Sequence, residues 1–375
     1  MSSGRVVIIG AGIAGAATAW WLTHHFGWQV VLVEAEDGPA RHSSGKNAAI
    51  FRSAIAAAPT RELALETGEF LRNPPAGFCE YELLRTCGLL VVAGGQHEPP
   101  PAWSTDLEQR GVAQAIGLDD LRSIAPQFYP AGARAWWLER EGKIDISALI
   151  DAFLAGARRA GAELRYNAAV QEVLIDGGRV RGLRLASGEE LASDAVLIAG
   201  GGWASRIGRA VGASLPLAPM RRHLVVTTPD ARIESDWPVI WDDEAGIYFR
   251  PESAGLLCSA CDETRVDPDR CELDLDVRML ALQKISKHLP SLADSSIAHI
   301  WSGIRTLSPD DVPILGEDPR RPGLFWAAGL GGHGMTTSYA LGRLAAAAIA
   351  DPIGSADELQ AFSPMRSALH AQASV

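Results

Sequence analysis

No apolar run in the chain reaches the roughly 20 residues that a helix needs to cross a bilayer. The alanine-rich stretch Leu344 to Ala350 is short and reads as a packed helix. The first residues, Met1-Ser2-Ser3-Gly4-Arg5, lead straight into a strand without the apolar segment and cleavage site of a signal peptide. A cytoplasmic address and no transmembrane segment are expected. Basic residues are in deficit, 34 against 45 acidic, for a formal net charge of -11, which repels phosphate and disfavours nucleic acid as a partner. The charge leaves room for a local basic pocket. Cysteine is scarce: Cys79, Cys87, Cys258, Cys261 and Cys271, an odd number at uneven spacing, argue against a disulfide framework. Cys258-Ser-Ala-Cys261 has the spacing of half a metal site, but no second pair accompanies it. A strand carrying buried thiols is the preferred reading, and no metal is expected. Internal repeats and low-complexity segments are also missing.

What remains is an ordinary globular composition, 47% hydrophobic and 21% charged, over 375 residues, enough for two domains with sizeable cores. Val6 to Ile9 is a β-branched run suited to a buried parallel strand. Gly10-Ala-Gly12-Ile-Ala-Gly15 follows, then a helical stretch from Ala16 to His25, a second apolar strand from Gln29 to Val33, and Glu34. Each glycine has a task. Gly10 permits a tight turn, Gly12 lets a pyrophosphate approach the backbone, and Gly15 lets the helix pack close to the strand. The helix N-terminus offers free N–H groups to phosphates, and Glu34 can accept hydrogen bonds from a ribose. Glu34 also disfavours NADP, whose extra phosphate it would repel.

The motif alone leaves FAD and NAD open. Three further segments favour FAD. In Arg41-His42-Ser43-Ser44-Gly-Lys46-Asn47-Ala48, the hydroxyls and Asn47 can donate hydrogen bonds along an extended cofactor, and Lys46 can offset phosphate charge. In Asp194 to Trp203 an apolar strand ends in three glycines, among them Gly201, before Trp203; a bare turn explains it equally well. In Leu324 to Thr337 a second strand and glycine loop, with Gly331, Gly332, His333, Gly334, Met335 and Thr336, lead into a helix from Ser338. That helix start could stabilise negative charge on a reduced flavin. His333 is placed beside the cofactor with no proton chemistry assigned.

Together the blocks VVIIGAGIAGAATAWWL, VVLVEAE, HSSGKNAA, AVLIAGGGWA, IWSGIRTLSPDDVPILG and AAGLGGHGMTTSYALG resemble the D-amino acid oxidase and dehydrogenase (DAO) family of FAD enzymes, and within it the bacterial D-arginine dehydrogenases. The resemblance implies an α/β fold: a discontinuous Rossmann-like FAD-binding domain (1–80, 145–215, 315–375) with an inserted α+β substrate domain (81–144, 216–314) containing a mixed, largely antiparallel sheet. It counts Gly10, Gly12 and Gly15 among the cofactor contacts and adds Ile13, Ala14, Ala35 and Val170. It implies oxidative deamination by hydride transfer from the substrate Cα to flavin N5, giving an imino acid.

Arg305 would grip the substrate carboxylate, for which a planar guanidinium is suited, and Tyr248 and Arg222 would line the pocket, with Arg221 competing for the last role. Gly303, Gly332 and His333 would complete it. Two family positions carry Ile50 and Ile55 here in place of histidine and tyrosine, and Gly88 stands where an acidic partner for a basic side chain is expected. A cationic substrate would then lack its counter-ion, so a neutral or apolar side chain, or a secondary amine, is expected. No cysteine follows Cys271, so FAD is expected to be held noncovalently. The acceptor that reoxidises it (oxygen, a quinone or another carrier) stays open, as do a glycine- or sarcosine-type oxidase and a non-catalytic electron-transfer subunit.

Overall fold

The computed structural model describes residues 4–95 and 98–369; the Met1–Ser3 lead lies outside them. The strand Arg5–Ile9 sits near the middle of a six-stranded sheet. It pairs in parallel with Gln29–Val33 on one side and Ala195–Ile198 on the other. Glu163–Arg165 extends the sheet beyond the first, and Leu324–Ala328 beyond the second. Ile314–Glu317 closes that end antiparallel.

Both faces of this sheet are covered, which is why its strands are apolar without alternation. Val6 and Ile8 pack with the helices Ile13–His25, Ile146–Arg159 and Ser338–Ala350. Val7 and Ile9 pack with a three-stranded antiparallel sheet built from Val170–Asp176, Arg179–Leu185 and Glu190–Ala192. The Asp145 side chain caps the second helix, accepting from the Ala148 N–H at 2.9 Å, an interaction of the kind that contributes about 1 kcal/mol.

The first helix begins at Ile13, three residues before the expected start. Gly15 lies inside it because a Cβ there would stand 2.0 Å from the Gly10 carbonyl oxygen. The helix Ala58–Arg72 carries Pro59 in its first turn, where a missing N–H costs nothing. The helix Ala102–Gln109 begins directly after Pro99-Pro100-Pro101.

A second, nine-stranded sheet stands over the carboxyl ends of the first. Its long strands Ala218–Thr227 and Ile297–Leu307 pair antiparallel over most of their length. Only Val239–Asp242 with Leu89–Ala93 runs parallel, giving the mixed, largely antiparallel sheet expected. Cys258 lies buried in the strand Gly255–Ser259, and Cys261 follows the strand half-buried.

Candidate functional site

A cleft of about 630 Å³ lies at the carboxyl ends of the parallel strands, lined by Ile9, Val33, Ala199 and Ala328 where those strands finish. Its other wall is the second sheet, through Leu224, Trp241, Tyr248 and Arg305. Ligands of open α/β sheets bind at such a place, where neighbouring strand connections diverge.

The glycines of the first turn divide by cause. Gly10 has φ of +108°, and a Cβ on it would lie 2.6 Å from the Ala199 carbonyl oxygen, so the fold itself demands glycine. Gly15 is likewise fixed by packing and does not line the cleft, which corrects its placement as a cofactor contact. Gly12 is different. Its φ of -75° and ψ of 179° suit any residue. A Cβ would meet only the Ser44 hydroxyl, at 3.0 Å. The rest of the space beside Gly12 is the open cleft.

Beside it, Ile13 and Ala14 open the helix, and the Ile13 N–H donates to Ser44 Oγ at 3.0 Å. Glu34 accepts from the Ala11 N–H at 2.7 Å and the Glu36 N–H at 3.1 Å, which fixes its carboxylate at the cleft wall with Ala35. The loop Arg41, His42, Ser43, Ser44, Lys46, Asn47 and Ala48 lines the cleft throughout. Asn47 donates to the Ser44 carbonyl, and Ser43 Oγ to the carbonyl of Ile304 on the second sheet, so the loop joins the two walls. His42 packs on Trp203 with ring centroids 4.6 Å apart, beside Val170 and Gly201.

Gly331, Gly332, His333, Gly334, Met335 and Thr336 face the same space. Gly332, at φ +91°, leaves room for Arg305, whose side chain a Cβ would meet at 2.9 Å. At Gly303 a Cβ would stand 2.6 Å from the Lys46 carbonyl oxygen.

The end of the cleft against the second sheet gathers guanidinium groups. Arg305 donates to the Tyr248 hydroxyl at 3.0 Å and makes no ion pair among the described residues. Arg222 lines the cleft, paired with Glu263 at 2.8 Å. Its neighbour Arg221 does not line it, bonding instead to Asp274 and the Glu272 carbonyl. The strand pairing explains the choice, because Arg222 lies opposite Gly303, whose face Arg305 shares.

Ile50 also lines the cleft, but Ile55 is 3% exposed in the core and does not. Gly88 is absent from the lining as well. It has φ of +79°, and the Trp137 ring lies within 1.9 Å of where its Cβ would be. The inference of an apolar pocket from Gly88 therefore loses its premise.

A residue that sequence reasoning missed stands in that pocket. Alternation along Ile50-Phe51-Arg52-Ser53 turns Ile50 and Arg52 to the cleft, while Phe51 and Ser53 are buried on the other side. The Arg52 guanidinium lies 3.9 Å from the Trp241 ring centroid, and Trp241 stacks on Tyr248 at 4.2 Å. Burial, then the charges of Arg52 and Arg305, lower the pKa of His333 to about 3, so its imidazole is neutral at physiological pH. The available signal for Arg52 was a lone charge in the apolar run from Ala48 to Ala58.

Behind Arg52, Glu141 is 2% exposed and accepts from the Ser53 N–H at 2.9 Å and from the Ser53 hydroxyl. Burial pushes its pKa up to about 7, against the hydrogen bonds from Ser53. A carboxyl whose pKa is higher folded than unfolded favours the fold at acidic pH, and the benefit is lost as pH rises through about 7. The Glu141→Gln variant is therefore expected to gain stability on the parent between about pH 5 and about pH 8.5, by about 3 kcal/mol at most. Melting midpoints of both proteins at the two pH values check this; a constant gap contradicts it.

The chain belongs to the DAO family of FAD dependent oxidoreductases, whose family model matches residues 5–348. It is 30% identical over 267 residues to a glycine oxidase of Geobacillus kaustophilus, covering 69% of this chain and 68% of that protein. It is 32% identical over 200 residues to a D-amino acid dehydrogenase of Paramagnetospirillum magneticum, covering 52% of this chain and 45% of that one. In fold it is similar to the crystal structure of L-proline dehydrogenase from P. horikoshii, with TM-score 0.85 at 21% identity over 97% of this chain and 98% of the other.

FAD is the cofactor of this family, and the cleft fits it. Gly12 lines the cleft at the first turn, where an added Cβ would meet only the Ser44 hydroxyl, and Glu34 stands at the ribose distance along the chain. The first turn would hold the diphosphate, and the Gly331–Thr336 loop the redox ring. No cysteine lines the cleft.

Proposed function

We propose that the protein oxidises the CH–NH bond of an amino acid whose carboxylate is held by Arg305. The observation that carries this is the Arg305 guanidinium, which faces the cleft with a phenol as its one side-chain partner. A planar donor fork in that state is suited to a carboxylate, which it can bind through two parallel hydrogen bonds. Two relatives bear names of the same chemistry, a glycine oxidase and a D-amino acid dehydrogenase.

Bound FAD supplies the two-electron acceptor for this bond. The chain's own residues orient the substrate and set its protonation. Arg305 fixes the carboxylate and hence the position of Cα. Tyr248 fixes Arg305. Burial and neighbouring cations, which hold His333 neutral, also favour the unprotonated amine, the form able to release its Cα hydrogen as hydride. Arg222 lines the same pocket as a further positioning group. The imine that results hydrolyses in water to a keto acid and ammonia.

The resemblance to glycine oxidase supports a second reading, in which glycine or a secondary amine is the substrate and oxygen the acceptor. Product analysis tests both. Equal amounts of keto acid and ammonia, matched to reduced dye, are expected of a dehydrogenase acting on a primary amine. Hydrogen peroxide in place of reduced dye marks the oxidase. Consumption of amino acid with neither reduced dye nor hydrogen peroxide formed rules out CH–NH oxidation.

A further inference from the structure

We propose that Arg52 is a second anion-binding residue of the cleft and that the substrate is an amine bearing two carboxylates, one held at Arg305 and the other at Arg52. The proposal rests on the amino acid reading above and narrows its substrate class.

Other enclosed arginines of this fold are tied into hydrogen bonds. Arg61 donates to Asp106 and to the carbonyls of Ile55 and Ala56. Arg250 reaches the Ala48 and Pro251 carbonyls and Glu252. Arg366 bonds both oxygens of Asp310 and several carbonyls. Each of these three guanidiniums is held by at least one carboxylate and by backbone carbonyls, which offsets the cost of burying its charge.

Arg52 is the exception. Its side chain is 14% exposed, yet it makes no hydrogen bond within the described residues. The nearest carboxylate oxygen, Asp243 Oδ1, is 3.9 Å away and already accepts from Trp241 Nε1 at 2.7 Å. Glu141, deeper on the same side, is engaged by Ser53 and is half protonated at neutral pH. Burial and the nearby charge of Arg305 hold Arg52 below the ordinary arginine pKa, with Asp243 opposing them. An anion beside Arg52 would relieve both costs.

The position also suits recognition. The cation–π contact with Trp241 holds the Arg52 guanidinium at the cleft wall. Trp241 stacks in turn on Tyr248, the partner of Arg305, so one aromatic pair carries both cationic groups. A second carboxylate would give Arg52 a partner while Arg305 holds the first. A cationic side chain would be repelled by Arg52.

The second carboxylate could lie on the side chain, as in aspartate or glutamate, or on the amine nitrogen, as in an N-carboxymethyl amine. The reductive half-reaction separates these. Anaerobic flavin bleaching is followed with D- and L-aspartate and glutamate, their uncharged counterparts asparagine and glutamine, and N-carboxymethylglycine against N-methylglycine. The holoprotein is also titrated with succinate and glutarate against propionate and butyrate, read by the shift in flavin absorbance.

Each dicarboxylate of the fitting geometry is expected to exceed its uncharged counterpart by about 10- to 100-fold, the scale of one charged hydrogen-bonded pair. Arg52→Gln should bring that ratio to about one, and Arg52→Lys, which keeps the charge, should retain most of it. Equal affinities in the parent protein, or a preference that survives Arg52→Gln, overturn the proposal. So does an Arg52→Gln protein whose flavin affinity falls while the ratio holds, since Arg52 would then serve the cofactor. If neutral amino acids bleach the flavin fastest, this proposal fails and amine oxidation stands. If no amine bleaches it, the amine reading fails, and the carboxylate titration decides the role of Arg52.

Discussion

Arg305→Ala is expected to raise KM for the amino acid by about 100- to 1,000-fold, the scale of removing one member of an enclosed, hydrogen-bonded charge pair. The guanidinium lies along Gly332 and bonds Tyr248, so its loss removes the carboxylate's donors and leaves the first glycine turn untouched. Flavin content should therefore match the parent. Arg305→Lys should recover only part of the loss, because an ammonium offers a point charge without the planar fork. Steady-state kinetics together with the visible spectrum of the purified variants check this. An unchanged KM removes Arg305 from substrate binding, and a colourless variant assigns it to the cofactor instead.

Gly12→Val should give a folded protein without flavin. The backbone at Gly12 is extended and accepts a β-branched residue, and the one close neighbour of an added Cβ is the Ser44 hydroxyl, at 3.0 Å. The added methyls would fill the space expected for the diphosphate. Loss of flavin affinity by more than about 100-fold, with the far-ultraviolet circular dichroism unchanged, is the expected result. Gly10→Ala makes the contrast. Its positive φ and the 2.6 Å approach to the Ala199 carbonyl predict loss of the fold together with the cofactor. Full flavin occupancy in Gly12→Val would contradict a diphosphate at this turn.

The parts of the site that could be read from the sequence are those whose requirements are local. The first turn, its helix and Glu34 lie within one short stretch, and each residue type answers to a backbone need or a hydrogen bond nearby. The loop from Arg41 to Ala48 and the glycines after Leu330 were also placed on the cleft, because runs of small and polar residues after apolar strands mark the sheet's carboxyl edge.

What escaped depends on distant partners. In the sequence Gly88 reads as a missing carboxylate, yet its reason is the Trp137 ring, brought against it by a neighbouring strand. Ile55 stands where the resemblance implies a pocket residue, but the chain turns into the core before reaching it, where Arg61 holds its carbonyl. Arg52 was missed because nothing within ten residues explains a charge there. Trp241, Tyr248, Arg305 and His333 all arrive from the far half of the sequence. The same folding selected Arg222 over Arg221, a choice of strand face that depends on pairing with Gly303.

The most direct test is the visible spectrum of the purified holoprotein in the absence of oxygen. A yellow flavin band that bleaches within seconds of adding an amino acid, and returns on admitting an electron acceptor, is the result expected of a cleft that seats amine and FAD together. A stable yellow band in the presence of every D- and L-amino acid, glycine and N-methyl amine would contradict it.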